Sequence, residues 1–344
     1  MSELTDILQD SVNKVLHEKL TWDSLKLIEE NAWSEDLWSE LKDLGLPALF
    51  LAEEQGGMNA SWRDAYVVLR ACGRFSVPIP IPEAIIANWY AREANIQLPD
   101  NCWALVDEKS IDVSAKDVSF ADVGVPWGRL ANYLLIIGDN NLRVAEVKNK
   151  SVKKQENIGR DPRDLITGEA KILEEASIDL CSNSLLYLGA LQRSAQIAGA
   201  ASMAFDLAVK YSGEREQFGR SLSKFQAIQH YLSDLAGLVA SVDAISLAAC
   251  NTLDSQGLRK NSHNSLKAIA AAKCQSSDSV EKISRLAHQV HGAIGFTYEY
   301  GLHYVTRRLW AWRSEFGSSN YWGEFLGDLA LDAGENGVWP LITK

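Results

Sequence analysis

Between Asn183 and Tyr211 the chain is apolar almost all the way round a helical wheel. Leu185, Leu188, Leu191, Ile197, Met203, Phe205, Leu207 and Val209 fall on every face. A helix without a polar face must be enclosed by other helices. Two more long helical patterns follow, from Phe225 to about Leu253 and from Ser265 to about Val290, and a shorter one closes the chain. Asp254-Ser255-Gln256-Gly257 reads as the turn between two of them. This predicts a C-terminal four-helix bundle over residues 179–344. The tail carries Trp322, Phe325, Leu329 and Leu331 at helical spacing, an apolar face for packing.

Residues 1–97 also read as helix. Leu4, Ile7, Leu8, Val12 and Val15 recur at helical spacing, and so do Leu37, Leu41 and Leu44. Ser34 precedes the second set as an N-cap, with Glu35 and Asp36 in the first turn, and Gly45 ends it. Trp62 to Gly73 forms another helix. Alternate prolines from Val77 to Pro82 force extended backbone, and a helix restarts at Pro82-Glu83 and runs to Ala94. The period changes over residues 98–178. W-A-L-V, V-S-F-A-D-V, Y-L-L-I-I and L-R-V-A-E-V read as strands, with a hairpin turn at Asp139-Asn140-Asn141. A small antiparallel barrel or sandwich of about 70 residues is expected there. The fold class is thus mostly α with a small β domain.

The formal net charge of −11 disfavours a nucleic-acid binder, which needs a positive field. Cys72, Cys102, Cys181, Cys250 and Cys274 include no C-x-x-C pair, so no metal site is expected, and they read as buried free thiols. The first residues lack the basic and apolar regions of a secretion signal. No uncharged apolar run approaches the roughly 18 residues of a membrane span. A cytoplasmic location with no membrane span is the expectation.

Two stretches carry chemistry. Glu214 to Gln229 reads E-R-E-Q-F-G-R-S-L-S-K-F-Q-A-I-Q, an Arg-x-Gln-Phe-Gly pattern followed by Phe-Gln. Gln289 to Gly295 reads Q-V-H-G-A-I-G. In this order and spacing they resemble the paired signatures of the acyl-CoA dehydrogenase flavoproteins. Residues 125–131, V-P-W-G-R-L-A, resemble the reduced middle domain of the smaller chain in two-chain members. The resemblance implies an FAD cofactor shared between subunits, with the ring on one and the pyrophosphate and adenine on its neighbour. Arg215 would pair with the pyrophosphate, Gln217 and Phe218 would line the adenosine side, and Phe225 and Gln226 would continue it. Gln289, Val290, His291, Gly292 and Ala293 would form the turn at the pyrophosphate, with Gln289, Gly292 and Ala293 facing it through their backbone. Small residues are needed there because a side chain would push the phosphates away. Ala293 stands where the family has a second glycine. Read without the resemblance, Arg215 belongs to a charge cluster with Glu214 and Glu216, Phe218 and Phe225 are core, and His291 is a cap or packed ring.

The family desaturates acyl-CoA thioesters at the 2,3-position. A carboxylate removes the alpha proton, and the beta hydrogen leaves as hydride to the flavin. The two family positions for that base fall on Phe316, before Gly317-Ser318, and near Gly189, so neither is a carboxylate. Glu315 lies one residue off and is the candidate catalytic residue. The family's flavin-ring motifs in the middle domain are also missing. The resemblance then implies a chain that completes the FAD site of a second acyl-CoA dehydrogenase-like subunit in a heterotetramer. Its partners would be acyl-CoA and, through the family, electron-transfer flavoprotein. The alternatives are a self-sufficient homo-oligomer using Glu315 as base, and a flavin-free scaffold.

Overall fold

The computed structural model describes residues 3–298 and 300–343. Five helices open the chain: α1 (Glu3–Lys19), α2 (Trp22–Asn31), α3 (Glu35–Asp43), α4 (Trp62–Arg74) and α5 (Ile81–Ala94). Side-chain oxygens fix where three of them start, by accepting amide protons that the helix itself leaves unpaired. Thr21 and Ser61 make reciprocal caps with Ser24 and Asp64. Ser34 accepts from the Leu37 amide, as its sequence position predicts. A further cap on α4 comes from far along the chain. The Asp254 carboxylate accepts from the Trp62 and Arg63 amides at 2.7 and 2.9 Å, where a negative charge also meets the positive end of the helix dipole.

The middle of the chain forms one six-stranded sheet: β1 (Ala104–Asp107), β2 (Asp112–Val113), β3 (Asp117–Pro126), β4 (Tyr133–Ile137), β5 (Asn141–Lys153) and β6 (Arg163–Ser177), in the order β1-β4-β5-β6-β3-β2. The hairpin at Asp139-Asn140 joins β4 to β5 in antiparallel register. The expected all-antiparallel barrel or sandwich is corrected in one respect: β1 and β4 pair in parallel. Between them the chain leaves to make β2 and β3 on the far edge. A strand that returns by a crossover lies parallel to its partner.

The last part holds α6 (Ser184–Glu214), α7 (Gln226–Gln256), α8 (His263–His291), α9 (Leu302–Trp312), α10 (Ser319–Ala333) and α11 (Val338–Thr343). α6 touches α4, α7, α8 and α9, the enclosure its all-round apolar pattern requires. Two glycines let α4 lie backbone on backbone against α6. A Cβ on Gly73 would meet the Gln196 carbonyl oxygen at 1.9 Å, and one on Gly199 would meet that of Arg70 at 1.8 Å. α7 runs through Asp254 to Gln256, so the turn begins only at Gly257.

α7 is long and apolar enough, by length and composition, to cross a membrane, although Asp234, Asp243 and Asp254 break it into shorter uncharged runs. Only 28% of its most apolar stretch is buried within the chain, and over the whole helix Leu235, Val242, Ala249 and Leu253 are among the buried residues. The apolar tail pattern is split: Trp322 is fully buried, while Leu331 is exposed.

Candidate functional site

The Arg-x-Gln-Phe-Gly stretch is a β-hairpin. Its strands β7 (Glu216–Gln217) and β8 (Arg220–Ser221) pair antiparallel. Phe218 and Gly219 form the two-residue turn, both in the left-handed region at φ +53° and +77°. That conformation suits glycine and is costly for phenylalanine. The Phe218 ring stands at the tip and is 92% exposed, which corrects its reading as core. Phe225 is half-buried, edge-on to Phe218 at 6.3 Å, with the Arg220 guanidinium 4.2 Å above its ring. Arg215, Gln217 and Gln226 are exposed beside them.

The second stretch ends α8 at the same end of the bundle. Tyr211, one turn before Arg215, stacks on His291 at 4.8 Å, and Tyr300 packs edge-on against both rings. Arg215 follows the end of α6 directly, and its amide donates to the Tyr211 carbonyl at 2.9 Å. Gln289, Gly292 and Ala293 are exposed. Gly292 has φ +64°, and a Cβ placed on it would meet no atom of the chain within 4 Å. The turn therefore offers bare backbone at Gly292, with Ala293 exposed beside it. Two residues of the predicted set turn inward instead. Val290 and His291 are each 3% exposed, one in the bundle core, the other stacked on Tyr211 with Nδ1 on the Ala287 carbonyl. Their side chains pack the helix end and only their backbone lies on the turn. Burial pushes the His291 imidazole pKa down.

A separate cavity of about 500 Å³ lies between the sheet, α5 and α6. Glu83, Arg163, Gln192, Glu315, Phe316 and Gly189 contribute to its wall. The two positions singled out as lacking a carboxylate meet here. A Cβ on Gly189 would sit 2.3 Å from the Phe316 ring, so the ring lies directly on the helix backbone. Phe316 itself has φ +54°, and its carbonyl accepts from the Trp322 indole at 2.9 Å.

Glu315 is held by four donors. Arg163 reaches its two oxygens at 2.9 and 3.0 Å, Arg193 at 2.7 Å and Asn157 at 2.8 Å. Burial alone would raise the pKa of this carboxyl. The Arg163 and Arg193 guanidiniums outweigh that and hold it well below the usual carboxylate range. A base needs the opposite, a carboxylate with a free oxygen and proton affinity matched to its task.

Arg193 continues to Glu83 at 2.9 Å, and Gln192 donates to the same oxygen at 3.3 Å. The motif comparison gives none of Glu83, Asn157, Arg163, Gln192 or Arg193. One signal for Arg193 was present: a charged residue in a helix with no polar face must have buried partners.

The helical entry layer, the sheet and the long-helix bundle, with a bare turn and an exposed arginine hairpin at one bundle end, define a mostly helical protein with a small β domain. The descriptions "Acyl-CoA dehydrogenase, N-terminal domain" and "Acyl-CoA dehydrogenase, C-terminal domain" match residues 2–92 and 181–328. The chain belongs to the acyl-CoA dehydrogenase family of flavoprotein oxidoreductases. It is similar to acyl-CoA dehydrogenase IpdE2 of Mycolicibacterium smegmatis, 26% identical over 311 residues covering 90% of this chain and 93% of that one. Its fold is similar to a chain of the ChsE4-ChsE5 complex from Mycobacterium tuberculosis, with a TM-score of 0.82 at 17% identity over 96% of this chain and 98% of that one. A glutaryl-coenzyme A dehydrogenase structure in complex with glutaryl-CoA matches with a TM-score of 0.78 at 18% identity, covering 98% and 97%.

Proposed function

We propose that this chain is the partner subunit of a two-chain acyl-CoA dehydrogenase. It would complete an FAD site whose ring and catalytic base belong to another polypeptide. The observation that carries this is the contact between Gly189 and Phe316. Both places where the resemblance puts a base come together, and an aromatic ring on bare helix backbone fills them. Glu315, next to Phe316 in the chain, is neutralised by two arginines.

The bundle end fits the pyrophosphate and adenosine half of FAD. The Gly292 turn leaves room for close backbone approach. Arg215 offers a forked, permanently charged donor. Phe218 holds an aromatic face away from the chain, at the expense of a left-handed backbone. FAD, when bound, supplies the hydride acceptor. What this chain supplies is orientation and charge for the phosphates, with the donors held on a hairpin and a helix end locked together by Tyr211 and His291. The weakly buried face of α7 is consistent with a second chain covering it, and the structurally similar ChsE4-ChsE5 assembly is itself a complex of two chains. Electron-transfer flavoprotein is the acceptor the family implies.

Purifying the chain alone and together with a longer acyl-CoA dehydrogenase chain tests this. Flavin content and dye reduction with acyl-CoA should be absent from the lone chain and present in the pair. Full turnover by the lone chain would end the partner reading in favour of a homo-oligomer. A colourless preparation in both states would favour the scaffold.

A further inference from the structure

A groove of about 720 Å³ lies between α1, α4 and α7 and shares no lining residue with the cavity at Phe316. Among the described residues its wall carries four permanent cations, Lys14, Arg63, Arg70 and Arg74, and one acid, Asp243. On a chain of net charge −11 this is a local reversal of sign, and a concave patch of one sign concentrates ligands of the other.

α1 and α4 run side by side in the same direction. Thr5 donates to Asp64 at 2.5 Å at one end of the groove, and the His17 ring lies edge-on to Phe75 at 6.5 Å at the other. Arg63, Arg70 and Arg74 recur at helical spacing on α4 and cover about 16 Å of its axis. Asp243 anchors Arg70 through Nε, and Ser202 and Asp206 anchor Arg74 through Nη1 at 2.9 and 2.7 Å. The two side chains stay 31% and 26% exposed, so each guanidinium is fixed and keeps N–H groups for a ligand. No carboxylate among the described residues pairs with Lys14 or Arg63. The ends of the groove differ. At one, the Arg74 guanidinium lies 6.0 Å from the half-buried Phe75 ring, with His17 beside it. From there toward Arg63 the wall is cationic.

We propose that this groove binds a nucleoside di- or triphosphate, its base against Phe75, Arg74 and His17 and its phosphates along Lys14, Arg70 and Arg63. Guanidinium forks match phosphate oxygens two at a time. Any base offers a flat face to an aromatic ring and a guanidinium. The volume suits a small molecule of this size. The site is independent of the flavin reading, because neither Arg215 nor Gly292 belongs to its wall.

Titration calorimetry on the full chain alone uses ADP, adenosine and inorganic pyrophosphate as probes. ADP should bind about tenfold tighter than pyrophosphate, the gain from stacking one base. It should also bind at least tenfold tighter than adenosine, and its affinity should fall with added salt. Lys14→Glu combined with Arg63→Glu should weaken ADP at least tenfold at an unchanged melting temperature. Lys14→Glu alone, at an exposed position, should weaken it at least threefold and replaces the double variant if that one unfolds. Phe75→Leu should cut the advantage of ADP over pyrophosphate below threefold. Arg215→Ala, which removes the proposed flavin contact, should leave ADP affinity unchanged. No binding of ADP, or equal affinity for ADP and pyrophosphate, would overturn the inference. So would ADP binding that survives both glutamates and is lost in Arg215→Ala, which would place the nucleotide at the flavin half-site instead. Flavin content of the two-chain complex should be the same with and without the glutamates, so its absence from the wild-type pair bears on the partner reading alone.

Discussion

Replacing Glu315 by glutamine keeps the side chain's shape and removes its charge. Four donors converge on that carboxylate, three from the guanidiniums of Arg163 and Arg193. In the variant these two cations would face each other without their shared counter-ion, and the new amide NH2 would point at donors. Removing one partner of a buried ion pair costs about 3–5 kcal/mol. Glu315 and Arg163 each keep 18% exposure, so the lower end applies, about 3 kcal/mol. The pH dependence has a definite sign. The folded pKa lies below the unfolded one, so the stabilisation is present above the ordinary carboxylate pKa and fades as pH falls toward the folded value. Urea unfolding followed by tryptophan fluorescence should show the full gap between wild type and Glu315→Gln at pH 7, and a smaller gap at pH 4. A loss under about 1 kcal/mol at pH 7, within the range of a surface pair, would refute the clamp. So would unchanged stability with lost dye reduction, which would make Glu315 the base.

Arg215→Ala and Gly292→Ala should both lower the flavin content of the two-chain complex. Arg215→Ala should leave the melting temperature unchanged because the side chain is exposed, while Gly292→Ala should cost about 1–3 kcal/mol, because φ +64° with ψ −146° is a backbone nearly confined to glycine. Lys273 Nζ donates to Ser277 Oγ at 2.8 Å and to the Trp312 and Arg313 carbonyls at 3.0 Å. Burial, aided by the Arg193 charge, pushes its pKa down to about 7. Its contribution is present above the ordinary lysine pKa and is lost as pH falls through about 7; the rise in thermal midpoint between pH 7 and 9.5 should be shallower in Lys273→Met. Asp254→Ala should cost about 1 kcal/mol by uncapping α4 and speed hydrogen exchange at the Trp62 and Arg63 amides.

Elements whose rule is local were legible in the sequence. Ser34 caps α3 because a serine before a periodic run needs only the next three residues to act. The enclosure of α6 followed from its composition alone. What failed depended on distant partners. β6 carries only a weak alternation, Ile166, Gly168, Ala170 and Ile172 against Thr167, Glu169 and Lys171, which ends at Leu173-Glu174; pairing with β5 and β3 on both sides fixes it. Asp254 looked like a turn residue, and its carboxylate proved to serve a helix start nearly two hundred positions earlier. At the bundle end the pattern gave the right residues without their directions. Phe218 points out because a two-residue hairpin turn puts it at the tip, and His291 points in because Tyr211 stacks on it. No local pattern encodes either direction.

The charges around Glu315 extend beyond the cavity. Glu83, Arg193, Glu315, Arg163, Asp161, Arg308, Glu29 and Arg307 form a run of alternating sign, each paired with the next at 2.7–3.9 Å. The run starts on α5, crosses α6, passes the start of β6, and ends between α9 and α2. It therefore ties the opening helices, the sheet and the bundle together. Buried ion pairs add little to stability over apolar packing of the same shape, but they penalise any arrangement that separates the partners. A carboxylate kept free for proton abstraction could not join such a run, since its oxygens must remain available to substrate. Once the base position is a phenylalanine, that restriction disappears. Glu315 can then be committed to Arg163 and Arg193, fixing the sheet against the bundle. On the partner-subunit reading, that rigidity would hold the hairpin and the Gly292 turn in place for a cofactor whose chemistry happens on the other chain.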